Sequence, residues 1–124
     1  MAMSSDDFEV IAYKILSYLY ACLKQGKEVD ISSMRSLAGC NEFYFSTVVK
    51  NLQSKGFVDG FHFDGLSGVV MDSNAIAAAG CPAITMDGAV FVKENSRMSQ
   101  VKKFLGHAFD IALNAVIETA TPRL

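Results

Sequence analysis

The sequence predicts a mainly α member of the α+β class: a winged helix-turn-helix with a small antiparallel sheet and additional C-terminal helices. Three observations carry this expectation. Three segments with apolar residues at helical spacing precede residue 56, and only Gly39 and Cys40 separate the second from the third. The third segment stops at Gly56, and Phe57 to Phe63 then read as extended chain. A helical pattern returns only from Ile84 onward. Helix, tight turn, helix and hairpin, in that order, make a winged helix.

Helix 1 is predicted from Asp7 to about Lys24. Phe8, Ile11, Ala12, Ile15, Leu16, Leu19, Cys22 and Leu23 form one stripe, and Ser5, Asp6 and Asp7 offer capping oxygens. Gly26 ends it. The stretch "KEVDI" is expected to be extended and to pair with the hairpin as a third strand. Ser32 or Ser33 then caps a brief helix 2 that carries Met34, Leu37 and Ala38. Asn41 caps helix 3, which runs to about Lys55 and buries Phe45, Val48, Val49 and Leu52. Gly56 follows as the C′ residue with positive φ.

The hairpin is expected from Phe57 to Phe63 and from Val69 to Met71, joined by "DGLSG". The small-residue stretch "SNAIAAAGCPA" fits a loop and a loosely packed return strand equally well. Phe57, Phe61 and Phe63 should share one face by the strand period of two. Together with Phe43 and Phe45 they read as core rather than as a platform for stacking bases. Thr85 caps a short helix through Phe91 and Val92, and Ser96 caps a final helix to about Thr119, with Pro122 beyond it. Residues 1–83 are thus a winged-helix domain, and residues 84–124 are a C-terminal helical extension within one structural unit.

A chain of 124 residues with 51% hydrophobic and 19% charged residues folds around a real core as one domain. Its formal charge of -2 and pI of about 5.6 argue against nonspecific coating of nucleic acid but leave room for a local basic patch. Cys22, Cys40 and Cys81 lie far apart with no C-x-x-C pair, which suits reduced thiols. The start "MAMSSDDF" lacks a basic n-region followed by an apolar run, and nothing approaches the roughly 18 apolar residues that cross a bilayer. A cytoplasmic protein with no membrane partner is expected.

The stretch "LQSKGFVDGF" and the later "ITMDGAVFVKENSRMSQVKKFLG" hold the most specific pattern in the chain. Ile84, Thr85, Gly88, Phe91, Val92, Glu94, Asn95 and Ser96 spell I-T-x-x-G-x-x-[FY]-[LV]-x-E-N-S. In this respect the chain resembles the YjcQ family of small proteins from Gram-positive bacteria and phages, over about residues 8 to 106. The resemblance implies a winged-helix fold. It carries no established activity, so no catalytic residue follows from it.

In a DNA-binding winged helix the third helix enters the major groove. Its outward residues here would be Asn41, Glu42, Tyr44, Ser46, Thr47, Lys50, Asn51, Gln53 and Ser54. Asn51 and Gln53 suit adenine, Lys50 suits phosphate or guanine, and Tyr44 can stack or bond a phosphate. Against this, Glu42 with Lys50 and Lys55 nets only +1, and Asp59 and Asp64 make the wing acidic. A more basic cluster, Lys93, Arg97, Lys102 and Lys103 against Glu94, lies outside the wing. His62 and His107 have no partner at metal-ligand spacing, and no nucleophile motif or phosphate loop is present, so neither an enzyme, a metal nor a cofactor is expected.

The final helix is apolar over more of its surface than packing on one small domain needs. That predicts a homodimer through Phe104, Ala108, Phe109, Ala112, Leu113 and Val116, against the alternative that the helix folds back along helix 1. The expected function is a transcription-regulator-like protein that binds double-stranded DNA as a homodimer. The alternative is a phage- or prophage-related winged helix that binds a protein partner and no DNA.

Overall fold

The computed structural model describes residues 3–64 and 75–123, and α1 (Phe8–Gln25) runs through its centre. Buried positions go nearly all round this helix, adding Val10, Tyr13 and Tyr18 to the expected stripe. The reason is its neighbours: α1 touches α2, α3, α4, α5 and the second strand, so it has no solvent side along most of its length. Only near its ends does the expected stripe leave the core, with Phe8 and Leu23 exposed. The Asp7 carboxylate accepts from the Ser4 backbone N–H at 2.9 Å and caps nothing in the helix.

Helix α2 (Ile31–Ala38) begins after Asp30, two or three residues earlier than the serine caps suggested. Ser33 instead donates its hydroxyl to the Asp30 carboxylate at 2.6 Å. Tyr18, fully buried, sets this start: its phenol oxygen accepts the Asp30 N–H at 2.9 Å and donates to the Asp30 carbonyl at 3.4 Å. Burial pushes the pKa of that phenol up, so it keeps its proton.

The expected third strand pairs elsewhere. Lys27 forms an antiparallel bridge with Pro122, the Glu28 N–H donates to the Thr121 carbonyl at 2.8 Å, and the Arg123 N–H donates to the Gly26 carbonyl at 2.7 Å. Residues 121–123 therefore pair with the start of that segment, and Tyr18 takes the Asp30 N–H further along it. Among the described residues the sheet has two strands.

Helix α3 (Glu42–Ser54) is capped by Asn41, whose side chain accepts the Tyr44 N–H at 2.8 Å, and it buries Phe45, Val48, Val49 and Leu52 as expected. At its end Gly56, with φ of 80°, donates to the Gln53 carbonyl while the Phe57 N–H donates to the Leu52 carbonyl. This paired closure needs a left-handed residue at Gly56, which is why the helix stops there and extended chain follows at once.

Strand β1 (Val58–Asp64) pairs antiparallel with β2 (Ala75–Ile84). The small-residue stretch is therefore a return strand, while the strand expected at Val69 to Met71 lies outside the described residues. The register runs from Val58 opposite Ile84 to Asp64 opposite Ala75, with a bulge between Asp59 and Phe61. There Gly60 lies so close to Pro82 that an added Cβ would stand 2.6 Å from the proline Cα. The bulge breaks the period of two, so Val58 and Phe61, three residues apart, are both buried, and Phe63, two residues further on, is half-buried against the same core. Phe57 precedes the strand and stacks on Phe91, with ring centres 4.5 Å apart. Phe61 and Phe63 thus share one face as expected, and Phe57 does not join it.

Helices α4 (Met86–Glu94) and α5 (Ser96–Glu118) complete the chain. Thr85 caps α4 as predicted, accepting the Gly88 N–H at 3.1 Å. Asn95, and not Ser96, caps α5: its side-chain oxygen accepts from the Arg97 and Met98 N–H groups. Helix α5 is broken at Gly106 (φ 66°, ψ -157°), a kink absent from the predicted continuous helix. Beyond it Phe109 packs on Tyr13, with ring centres 6.0 Å apart. One cluster of buried side chains joins all seven elements, and the architecture is a winged-helix-like, mainly helical α+β fold.

Candidate nucleic-acid interface

Helix α3 stands where a winged helix places its recognition helix, after the tight turn at Gly39 and before the wing. Its predicted outward residues divide into two groups. Lys50, Asn51 and Ser54 are exposed, and Thr47 is half-exposed beside them. With Glu42, which is also exposed, these are the predicted residues of α3 that remain available to a ligand. Two of them also bond along their own helix: the Thr47 hydroxyl donates to the Phe43 carbonyl at 2.9 Å and the Asn51 amide to the Thr47 carbonyl at 2.8 Å.

The others are committed elsewhere. Asn41 is exposed but spends its side-chain oxygen on the cap. Tyr44 donates its phenol to the Asp6 carbonyl at 2.6 Å, which ties α3 to the segment before α1, and burial together with the Asp6 carboxylate raises its pKa. Ser46 is buried, with no hydrogen-bond partner for its hydroxyl among the described residues. It was expected to face outward, but α3 is covered on that side too, so its buried stripe is wider than Phe45, Val48, Val49 and Leu52 alone.

Gln53 also differs from the expectation of a base-reading residue. Its amide donates to the Phe61 carbonyl at 3.0 Å and its carbonyl accepts the Phe61 N–H at 3.0 Å, a two-bond staple between α3 and β1. Gln53→Ala leaves both backbone groups of Phe61 without that partner. It is expected to destabilise the fold by on the order of 1 to 3 kcal/mol in urea denaturation. A variant as stable as the parent would show that the staple does not hold the wing.

The second basic cluster is not brought to α3. Arg97 forms an ion pair with Glu9 on α1, and Lys93 lies 5.8 Å from the centre of the Tyr20 ring. Lys93 and Lys102 line a cleft between α1, α4 and α5 to which α3 contributes no residue. Lys103 is exposed on the outer side of α5. On α5 itself Phe109, expected as an interface anchor, is buried in its own chain, and Leu113 and Val116 are half-buried there. Phe104, Ala108 and Ala112 are exposed, joined by Ile111 and Ala115. The fold-back along α1 thus accounts for one side of the helix and leaves an apolar stripe on another.

Of the five phenylalanines read as core, Phe43 is 63% exposed, at the start of α3. Cys22 is buried, Cys40 half-buried and Cys81 exposed, all three free, and burial pushes the Cys22 and Cys40 thiols up. Among the described residues no group of three or more His, Cys, Asp or Glu side chains is placed to hold a metal ion.

The most specific sequence pattern lies at the base of the wing. The Thr85 N–H donates to the Phe57 carbonyl at 3.0 Å and its hydroxyl donates to the Gly56 carbonyl at 2.5 Å. Gly88 packs on the Phe57 carbonyl, Phe91 stacks on Phe57, and Ile84 pairs with Val58. Ile84, Thr85, Gly88 and Phe91 therefore clamp the α3–β1 junction, and their task is structural. The clamp was missed in the sequence because its two halves are almost thirty residues apart; the paired signals were Gly56-Phe57 and the Thr-x-x-Gly spacing. The model of a family described as YjcQ protein matches residues 13–111. No curated protein and no solved structure matches the chain.

Proposed function

The chain belongs to the YjcQ family, and on that premise we propose that it is a cytoplasmic regulator-type protein that binds double-stranded DNA through α3 as a homodimer. The observation that carries this reading is the free turn of α3, where Lys50, Asn51 and Ser54 face solvent at the recognition position of a winged helix. Ammonium, amide and hydroxyl groups suit a phosphate, a base edge and a sugar-phosphate contact respectively. Pairing of two copies is supported by the exposed stripe of Ala108, Ile111, Ala112 and Ala115, which recur at helical spacing beyond the kink. Among the described residues no helix is long and apolar enough to cross a membrane.

Selection from random duplex DNA at low and physiological salt, followed by sedimentation of the protein with and without the selected duplex, tests both parts. A site enriched at both salt concentrations and bound by two chains is the expected result. Lys50→Ala should weaken binding to every sequence and flatten the salt slope by about 1, while Asn51→Ala should relax preference at one base pair by about 1 to 3 kcal/mol. Weak, unselective retention at low salt alone would overturn the reading.

A second reading, a protein-interaction module, is favoured by Phe43. An exposed phenylalanine beside Glu42 on the leading turn of α3, with an acidic residue, Asp59, exposed on the wing, suits a protein surface better than a phosphate backbone.

A further inference from the structure

The cleft between α1, α4 and α5 has a volume of about 650 Å3, within the range of small-molecule sites. Its floor is apolar and aromatic. Tyr13 and Phe109 meet there at a tilt of 57°, with Met98 and Val92 buried beside them. Its rim is cationic. Lys24, Lys93 and Lys102 line the opening, and among the described residues the single acid that lines it is Asp110.

The positions of the lysines matter more than their number. The Lys24 and Lys93 ammonium groups lie 5.1 and 5.8 Å from the centre of the same Tyr20 ring. The ring attracts each of them, and one carboxylate does not balance the three ammonium groups that line the cleft. An anion at the rim would balance them. A flat ring extending from it would lie on Tyr13, Phe109 and Met98, side chains that favour aromatic contact.

We propose that this cleft binds a small aromatic anion, a ring system carrying one phosphate, carboxylate or sulfonate group, with the anion held by Lys24, Lys93 and Lys102. Met98 and Lys102 before the Gly106 break and Phe109 and Leu113 after it line the same cavity. The inference does not depend on whether α3 reads DNA.

Anilinonaphthalene sulfonate is a fluorescent probe of this chemistry, and N-phenylnaphthylamine is nearly the same ring system without the charge. Titration of the full chain should show one saturable sulfonate site, with the neutral probe bound at least about tenfold more weakly. The double variant Lys93→Ala/Lys102→Ala should weaken sulfonate binding by about tenfold or more, the loss expected for a charge-assisted contact, with an unchanged circular dichroism spectrum. Met86→Glu, at an exposed apolar residue outside the cleft, should leave it unchanged. Equal affinity for both probes, binding that survives loss of the lysines, or binding that Met86→Glu abolishes would each overturn the proposal.

Discussion

Gly88→Ala is expected to destabilise the protein by about 3 kcal/mol, the upper end of what overpacking costs. A Cβ at this position would stand 2.0 Å from the Phe57 carbonyl oxygen and 2.8 Å from Ile84 Cγ1. Neither can move aside cheaply. The Phe57 carbonyl is held by the Thr85 N–H, and Ile84 is buried opposite Val58 in the sheet. Relief therefore requires α4 to withdraw from the α3–β1 junction, which would also part the stacked Phe57 and Phe91 rings. Val90→Ala, on the exposed side of the same helix, is the control and should stay within about 0.5 kcal/mol of the parent. Urea denaturation decides: a Gly88→Ala protein as stable as the control would mean that α4 does not approach Phe57 so closely.

Phe45→Ala should cost about 3 to 5 kcal/mol, because the ring is 1% exposed and its removal leaves a cavity that the surrounding helices can fill only in part. Phe43→Ala, two residues away, should change stability by less than about 0.5 kcal/mol, since that ring is 63% exposed. The contrast between neighbours of one type measures the orientation of α3 directly. Similar losses from both would mean that the helix is rotated about its axis and that Lys50 and Asn51 do not face solvent. The same Phe43→Ala protein bears on function: it should retain DNA binding under the regulator reading and lose partner binding under the interaction reading.

How much was legible depended on the distance in sequence over which each feature is decided. Asn41 as the cap of α3, Gly56 as its stop and Thr85 as the cap of α4 were all readable. In each case the donor and acceptor lie within a few residues and no other part of the chain is needed. The buried face of α3 was readable for the same reason, since helical geometry alone places Phe45, Val48, Val49 and Leu52 together. The candidate interface was only partly readable. The sequence shows that Lys50, Asn51 and Gln53 are polar, but whether such a side chain faces solvent depends on what stands opposite it.

The tertiary structure decided the rest. Gln53 finds Phe61 across the junction, and the "KEVDI" segment finds the C-terminus before it can serve the hairpin. The wing keeps a bulge at Gly60 that separates Phe57 from the face that Phe61 and Phe63 share. Along α1 a second row, Tyr13, Ser17, Tyr20, Ala21 and Lys24, repeats at helical spacing, but it becomes part of a cleft only because α4 and both halves of α5 pack beside it. The sequence by itself determined the helices, their local caps and stops, and the winged-helix order, because neighbouring residues settle those through backbone geometry. Which of several competent partners each exposed backbone group, amide or ring would meet was left to the tertiary structure, because that choice depends on which distant segment packs there in the folded chain.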